Sequence, residues 1–367
     1  MVFEGVINHL SIGNVSYNFL RELYKLETEG TIKLNGFFPI FENFDLSSFN
    51  APTHLHDWLV DLKNNALKKL KKDDPALKCW HILGSERKLT TRNFLYTFYE
   101  TDEPTQEEIA VVNSQTATIF SSSESASYFR QAGCKNVFSA PLGFDEDFAS
   151  QLDINRNVTG VTHFGLVGKF ERRKNTQRII RLWAKKYGNN NKYLLSCLVN
   201  NPFFRPELYD QIIKETLGPN PPFNINFVPA LKTNREVIMF QQAVDIDLSG
   251  LSNGEGWGLP AFNSTCLGKW SVVSNCSGHK DWATKENCVL VETNGKQPCY
   301  DGAFFIKGSP NNQGNYHLIT DEALIDGMER AEKLSKTPNK AGIETGVKMS
   351  YKESVKQILE VINYFPK

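Results

Sequence analysis

Two segments of this 367-residue chain combine residue types that could handle an anion and a polyol. The first is Val244–Lys269, VDIDLSGLSNGEGWGLPAFNSTCLGK. An apolar run, Val244–Leu248, reads as a buried strand, a glycine-rich loop follows, and Pro260 stands where a helix would begin. Proline suits a first helical turn because its missing N–H has no intrahelical partner there. The free amides of that turn and the helix dipole favour a bound anion. Gly256 and Gly258 allow the backbone to approach such a group without Cβ clashes. Glu255, the one acid in the loop, suits hydrogen bonding to sugar hydroxyls rather than to phosphate. The second segment is His163–Asn175, HFGLVGKFERRKN. A strand delivers Lys169, and Lys174 follows just before a helix. Two cations at the carboxyl edge of one sheet could clamp a diphosphate and stabilise it as a leaving group. No Asp-x-Asp pair lies beside them within this segment to offer a Mg²⁺ site, so lysines would stand in for a metal. Each segment also has a plainer reading: a Gly/Pro-rich connection with an incidental glutamate, and four cations on a solvated loop.

The elements needed to position these residues are legible as alternating strands and helices, the signature of parallel α/β sheets. Val2–Asn8 suits a buried strand, and Val15, Phe19, Leu20, Leu23 and Tyr24 recur at helical spacing with Gly30 as a stop. Ala117–Phe120 and Asn136–Ala140 read as strands around a helix Glu124–Ala132. Residues Phe148–Gly160 are polar and aperiodic, as in a linker. Beyond it, strands are expected at His163–Val167, Tyr193–Val199, Ile225–Val228, Val244–Leu248, Trp270–Ser274 and Cys288–Val291. A helix Thr176–Lys186 is expected with Asn175 as its N-cap. Ser350 and Glu353 form a capping-box pattern ahead of a last helix striped with Val355, Ile358, Leu359 and Ile362. The stretch 31–95 shows no clear pattern.

Length predicts two domains: residues 1–150, 151–345, and a terminal helix 346–367. No apolar run reaches the roughly 18 residues that span a bilayer, and MVFEGVINHL lacks the features of a signal peptide, so the expected location is cytoplasmic. Seven cysteines without a CxxC pair suggest neither a disulfide framework nor a zinc site. Lys+Arg and Asp+Glu both total 41, which disfavours nucleic acid as a principal partner.

VGKFERRKN followed by EGWGLP resembles the donor-binding half of GT-B glycosyltransferases, specifically glycosyltransferase family four. Tyr96–Asp102 (YTFYETD), Ser121–Ser123 and Ala140–Asp145 (APLGFD) are similar to the family's N-terminal-domain landmarks. The resemblance covers about residues 96–292. It implies a GT-B fold, two Rossmann-like domains facing a cleft, with the last helix crossing back to the first domain. It further implies that Lys169 and Lys174 meet the donor phosphates and that Glu255 contacts the transferred sugar. Gly256, Trp257, Gly258, Leu259 and Pro260 would run along the diphosphate and sugar, with Gly168 at the strand end. Asn263 replaces the glutamate that usually holds the ribose. Gly13 matches the glycine-bearing turn facing the phosphates. The loop around Val228 is expected near the base.

Glu100, Asp102 and His54 are expected on the acceptor side, and His279 at the edge of the donor site. The implied reaction is retaining transfer of a sugar, a hexose by expectation, from a UDP- or GDP-linked donor to a hydroxyl. The nucleotide sugar serves as co-substrate, with no metal and no tightly bound cofactor. The acceptor could be a glycan, a lipid-linked molecule or another hydroxyl, a modified DNA base being possible but not favoured. Two other readings are a sugar-nucleotide epimerase on the same fold and a non-catalytic sugar-nucleotide or glycan binder in which Asn263 marks lost catalysis.

Overall fold

The computed structural model describes residues 1–149, 160–202 and 204–365. Two six-stranded sheets, parallel throughout, account for the two halves. The first comprises β1 (Val2–Gly5), β2 (Gly36–Pro39), β3 (Pro75–Cys79), β4 (Arg92–Thr97), β5 (Ala117–Phe120) and β6 (Val137–Ser139), in the order β2-β1-β3-β4-β5-β6. The second comprises β7 (Thr162–Gly168), β8 (Tyr193–Val199), β9 (Ile225–Phe227), β10 (Ile246–Gly250), β11 (Trp270–Ser274) and β12 (Cys288–Val291), in the order β12-β11-β10-β7-β8-β9. The expected linker falls largely at 150–159, outside the described residues. A small antiparallel pair, β13 (Lys296–Pro298) and β14 (Asn315–His317), follows the second sheet.

The helices are α1 (Ser11–Thr28), α2 (Thr53–Lys69), α3 (Gln106–Ser114), α4 (Ser123–Gln131), the short α5 (Glu146–Ala149), α6 (Thr176–Tyr187), α7 (Pro206–Leu217), α8 (Asn234–Ala243), α9 (Leu259–Cys266), α10 (Asp321–Leu334), α11 (Lys340–Lys348) and α12 (Tyr351–Tyr364). None of the helices among the described residues is long and apolar enough to cross a membrane. Gly30 stops α1 with φ +73°, the left-handed turn that glycine adopts without a Cβ penalty.

Two expectations about helix starts need correction. Asn175 precedes α6, but its φ is 55° and its side chain caps nothing. The amide is instead committed across the sheet, donating to the Leu251 carbonyl at 3.1 Å and to Asn253 Oδ1 at 2.6 Å. At α12, Ser350 accepts from the Glu353 amide at 3.2 Å, but the Glu353 carboxylate lies 3.5 Å from Lys356, so half of the capping box forms.

The apolar stripe of α12 is buried at Tyr351, Val355, Ile358 and Ile362 and packs on α1 and β5 of the first sheet. The last helix therefore crosses back to the first domain. The chain passes between the halves at Gly143–Phe144 and again at Met349–Ser350, and these crossings touch: the Phe144 amide donates to the Met349 carbonyl at 2.7 Å. A Cβ on Gly143 would stand 1.9 Å from the Tyr351 nitrogen, so the close approach needs glycine.

In doubly wound sheets ligands collect at the carboxyl edge where strand order reverses. The second sheet reverses between β7 and β10, and the first between β1 and β3. Those edges deliver Lys169 and Leu251 from one half, and Val6 and Trp80 from the other.

Candidate functional site

The loop after β10 lies against the loop after β7, and both meet the first half. Lys174 Nζ is 2.5 Å from Glu255 Oε1, and Arg173 Nη1 is 3.1 Å from Glu255 Oε2. Arg173 Nη2 also reaches Glu100 at 3.1 Å and Glu171 at 3.3 Å, while Nη1 donates to the Gly254 carbonyl at 2.6 Å. Lys169 Nζ stands 3.9 Å from Glu171. The result is a buried, alternating network of three cations and three carboxylates. Arg173 and Glu255 side chains are each only 6% exposed, so each charge needs the opposite charges around it to be held there.

The network sets the ionisation of its members. Burial alone would raise the Glu255 pKa, but Lys174 and Arg173 outweigh it and hold the carboxyl well below the ordinary range. Glu100 goes the other way: burial, above the attraction of Arg173 and aided by the neighbouring Glu255 charge, lifts it. Its side chain is still 31% exposed, which suits a group lining a cleft. One carboxylate is thus fixed in the charged form beside another nearer to taking up a proton.

Arg173 and Glu171 are the members that sequence reasoning missed. Nothing in FERRKN distinguishes the cation that turns inward from those that stay on the surface. The signal exists only in three dimensions, where the β4 exit supplies Glu100 as a partner.

The glycines of the loop have specific reasons. A Cβ on Gly256 would meet Phe98 at 3.0 Å, and one on Gly254 would meet the Glu100 carbonyl at 2.8 Å. The loop therefore fits against the first half at van der Waals distance. Gly258 has φ +88° and lies where a Cβ would be 2.4 Å from His279 Nε2. Gly258→Ala is therefore expected to cost about 1–2 kcal/mol or more, read as a lowered urea midpoint. Gly168, at the end of β7, faces open space, and Gly168→Ala should stay within ~0.5 kcal/mol of wild type. Equal losses in the two variants would contradict the assignment. Gly13, in the first turn of α1, is fixed by Asn8, whose Oδ1 would lie 2.2 Å from an added Cβ.

Trp257 lends the loop its backbone and keeps its ring elsewhere. Its side chain is not laid along the loop's open side but buried, with Phe262 at 5.4 Å and Phe262 in turn 5.4 Å from Trp282. Its carbonyl accepts from Trp282 Nε1 at 2.9 Å. The aromatic cluster joins the first core, so the ring anchors the loop and leaves the backbone for a ligand. Leu259 and Pro260 open α9 as the proline position implies. Asn263, on the second turn of α9, has a buried Oδ1 without a hydrogen-bond partner among the described residues.

His279 comes in from the 3₁₀ turn after β11. Its Nδ1 is 3.1 Å from the Ser274 carbonyl, which fixes the proton on Nδ1, since a carbonyl only accepts. Nε2 is buried without a partner among the described residues. Burial lowers the pKa to about 4 against the pull of Glu255, so the ring is neutral. An unfolded histidine takes its proton near pH 6.5, whereas folded His279 does so only near 4. Between those values the unfolded chain binds the extra proton, and stability falls as pH is lowered through that window. His279→Gln should flatten the fall in melting temperature between pH 6.5 and 4. Parallel curves for the two proteins would exclude this role.

The remaining expected residues divide. Asp102 lies at the interface but is committed to the β13–β14 excursion, pairing with Lys296 at 2.7 Å and accepting from the Asn315 amide at 2.8 Å. His54 is not drawn to the network; it stacks on Tyr24 at 5.5 Å, where α2 packs beside α1. Val228 sits at the carboxyl end of β9, its amide bonded to the Cys197 carbonyl at 2.8 Å. Among the described residues no group of three or more His, Cys, Asp or Glu side chains is arranged to hold a metal ion.

No family model matches this sequence, and no curated protein does. Solved structures do match it end to end. A glycosyltransferase from Rickettsia africae superposes with a TM-score of 0.65 at 12% identity, covering 99% of this chain and 98% of the other. Anabaena HepE, solved with UDP and glucose, gives 0.63 at 13% identity and 99% of both chains. Sucrose-phosphate synthase from Thermosynechococcus elongatus gives 0.64 at 13% identity, covering 99% and 98%. At such identities the likeness is one of architecture, and the chain has the two-domain Rossmann-like fold of the GT-B glycosyltransferases.

Proposed function

We propose that this chain is a retaining glycosyltransferase that moves a sugar, a hexose by our reading, from a UDP- or GDP-linked donor to an acceptor hydroxyl. The observation that carries the proposal is the charge network at the β7/β10 switch point, where Glu255 is held ionised beside Lys174, Arg173 and the first turn of α9. A diphosphate entering there would take up Lys174 and Lys169 as partners and face the free amides of α9. Glu255, then bonded to Arg173, would accept from the sugar hydroxyls. The cations supply the leaving-group stabilisation, and the reaction is proposed to need no metal. The C1–phosphate bond breaks as the acceptor oxygen attacks from the same face, and its proton passes to the departing phosphate oxygen. Anabaena HepE, named above, is also described in complex with UDP-glucose, which supports a nucleotide sugar as donor.

In this reading residues 1–150 hold the acceptor, 151–345 hold the donor, and 346–367 tie the two. The unpartnered Asn263 Oδ1 supports a ribose contact; Asn263→Ala should weaken donor binding roughly 2- to 10-fold, the value of one neutral hydrogen bond. All seven cysteines are free and buried, which suits a reducing cytoplasm. A thermal-shift panel of UDP-, GDP- and ADP-sugars tests the proposal. A donor at a hundred times its dissociation constant adds about 2.7 kcal/mol of stability. A chain stabilised by none of the three would sink the proposal. Conversion of the donor to its epimer without an acceptor would reassign the chain to epimerases.

A further inference from the structure

The carboxyl edge of the first sheet, at its β1/β3 switch point, carries three aromatic rings that the charge network does not use. Phe41 leaves β2, and Trp80 and His81 leave β3, on either side of β1. The Phe41 ring meets Trp80 edge-on, centroids 5.9 Å apart at 85°, and Trp80 meets His81 at 5.2 Å and 71°. Neighbouring rings thus stand nearly at right angles and form a stepped corner. Phe41 is 58% exposed, so its ring touches Trp80 on one side and offers the rest of its surface to solvent. His81 is reached by solvent, yet the protein around it and the Lys169 charge both lower its pKa. His81 leaves the first sheet at the β1/β3 switch point, and the Lys169 charge from the second sheet's switch point acts on its ring.

The corner is held rigidly. Gly84 has φ +94°, and a Cβ there would stand 2.9 Å from the Trp80 indole nitrogen, so the indole rests against bare backbone. The loop beneath is tied by Ser85 Oγ donating to the His81 carbonyl at 2.7 Å and Lys78 Nζ donating to the Gly84 carbonyl at 3.0 Å. The Gly84 amide donates to Glu86 at 2.9 Å. Binding to rings already fixed loses little conformational entropy.

We propose that Phe41, Trp80 and His81 form the acceptor subsite and that it takes a pyranose ring of a glycan. A pyranose presents a face of polarised C–H groups, which suits the negative face of an aromatic ring, and a rim of hydroxyls, which suits the His81 nitrogens. An alkyl chain fits poorly, because His81 and the Lys169 charge border the corner and would be desolvated without gain. The assignment rests on the sugar-transfer reading and names the acceptor class for it. It also orients the reaction: the sugar on the corner would offer its hydroxyl toward Lys169 and the donor phosphates.

The test uses the full chain on a printed array of neutral and acidic oligosaccharides, with wild type, Phe41→Ala and Trp80→Ala compared. The same three proteins are melted with UDP and with GDP. The expected result is binding to a subset of glycans that falls at least tenfold in both variants, while the nucleotide-induced shift stays unchanged. Phe41→Ala alters an exposed ring, so its folding is secure. A wild type that binds no oligosaccharide, or a Phe41→Ala protein that binds as wild type does, overturns the proposal. Loss of the nucleotide shift in both variants also overturns it, since the rings would then stack on the donor's base. If no nucleotide stabilises wild type, the sugar-transfer reading fails, and the array still decides whether the corner binds glycans.

Discussion

An Arg173→Met protein is expected to lose about 3–5 kcal/mol of stability, because breaking a buried ion pair from one side leaves uncompensated charge in the interior. Three carboxylates surround this guanidinium, and Glu100 and Glu255 belong to opposite halves of the molecule. Methionine approximates the stem of arginine, so the loss reports the charge rather than a cavity. Lys174 continues to neutralise Glu255, but Glu100 is left beside Glu255 without the cation between them. Neutralising that repulsion should restore part of the loss: Glu100→Gln in the Arg173→Met background should be more stable than Arg173→Met alone. Urea unfolding of the four proteins in this cycle measures the coupling. An Arg173→Met protein within 1 kcal/mol of wild type would mean that the network adds nothing to holding the halves together.

The second large effect is on turnover. Glu255→Gln should lower sugar transfer by roughly 10²- to 10³-fold, the range seen when one charge-stabilising group is removed from an active site. Lys174→Ala should fall in the same range. The two differ in what they do to binding. The glutamine amide still reaches the sugar hydroxyls but surrenders an anion, so nucleotide affinity should hold or rise. Lys174→Ala removes a phosphate partner and should weaken nucleotide binding as well. Labelled sugar transferred from whichever donor passes the thermal-shift panel supplies the rate, and titration calorimetry with UDP or GDP supplies the affinity. Transfer by Glu255→Gln within threefold of wild type would remove Glu255 from the chemistry.

Much of the second half was legible because its strands are short apolar runs buried on both faces, bounded by polar turns. Tyr193–Val199, Trp270–Ser274 and Cys288–Val291 fall on observed strands to the residue. The stretch 31–95 was obscure for a local reason. In α2 the buried residues Leu55, Leu59, Leu62 and Ala66 keep helical spacing, but His, Asn and Lys between them and the absence of a polar N-cap dilute the pattern. The loop Ser252–Asn263 exposed its glycines and its proline to sequence reasoning, since each answers a backbone requirement. Side-chain destinations were another matter. Trp257 turns into a core shared with the first half, and Arg173 into a network completed by Glu100. Both outcomes depend on a surface supplied by the other half, which no local pattern encodes.

The touching crossovers at Phe144 and Met349 bear on how the molecule is made. Helix α1 leaves the ribosome long before its cover: the stripe of Tyr351, Val355, Ile358 and Ile362 is translated more than three hundred residues later. Until then the nascent first sheet displays the apolar flank on which Phe19 awaits Tyr351, their rings 5.8 Å apart in the finished chain. Such sequence-distant closure slows folding and lengthens exposure to aggregation. The first domain is therefore sealed only after the whole second sheet has been synthesised.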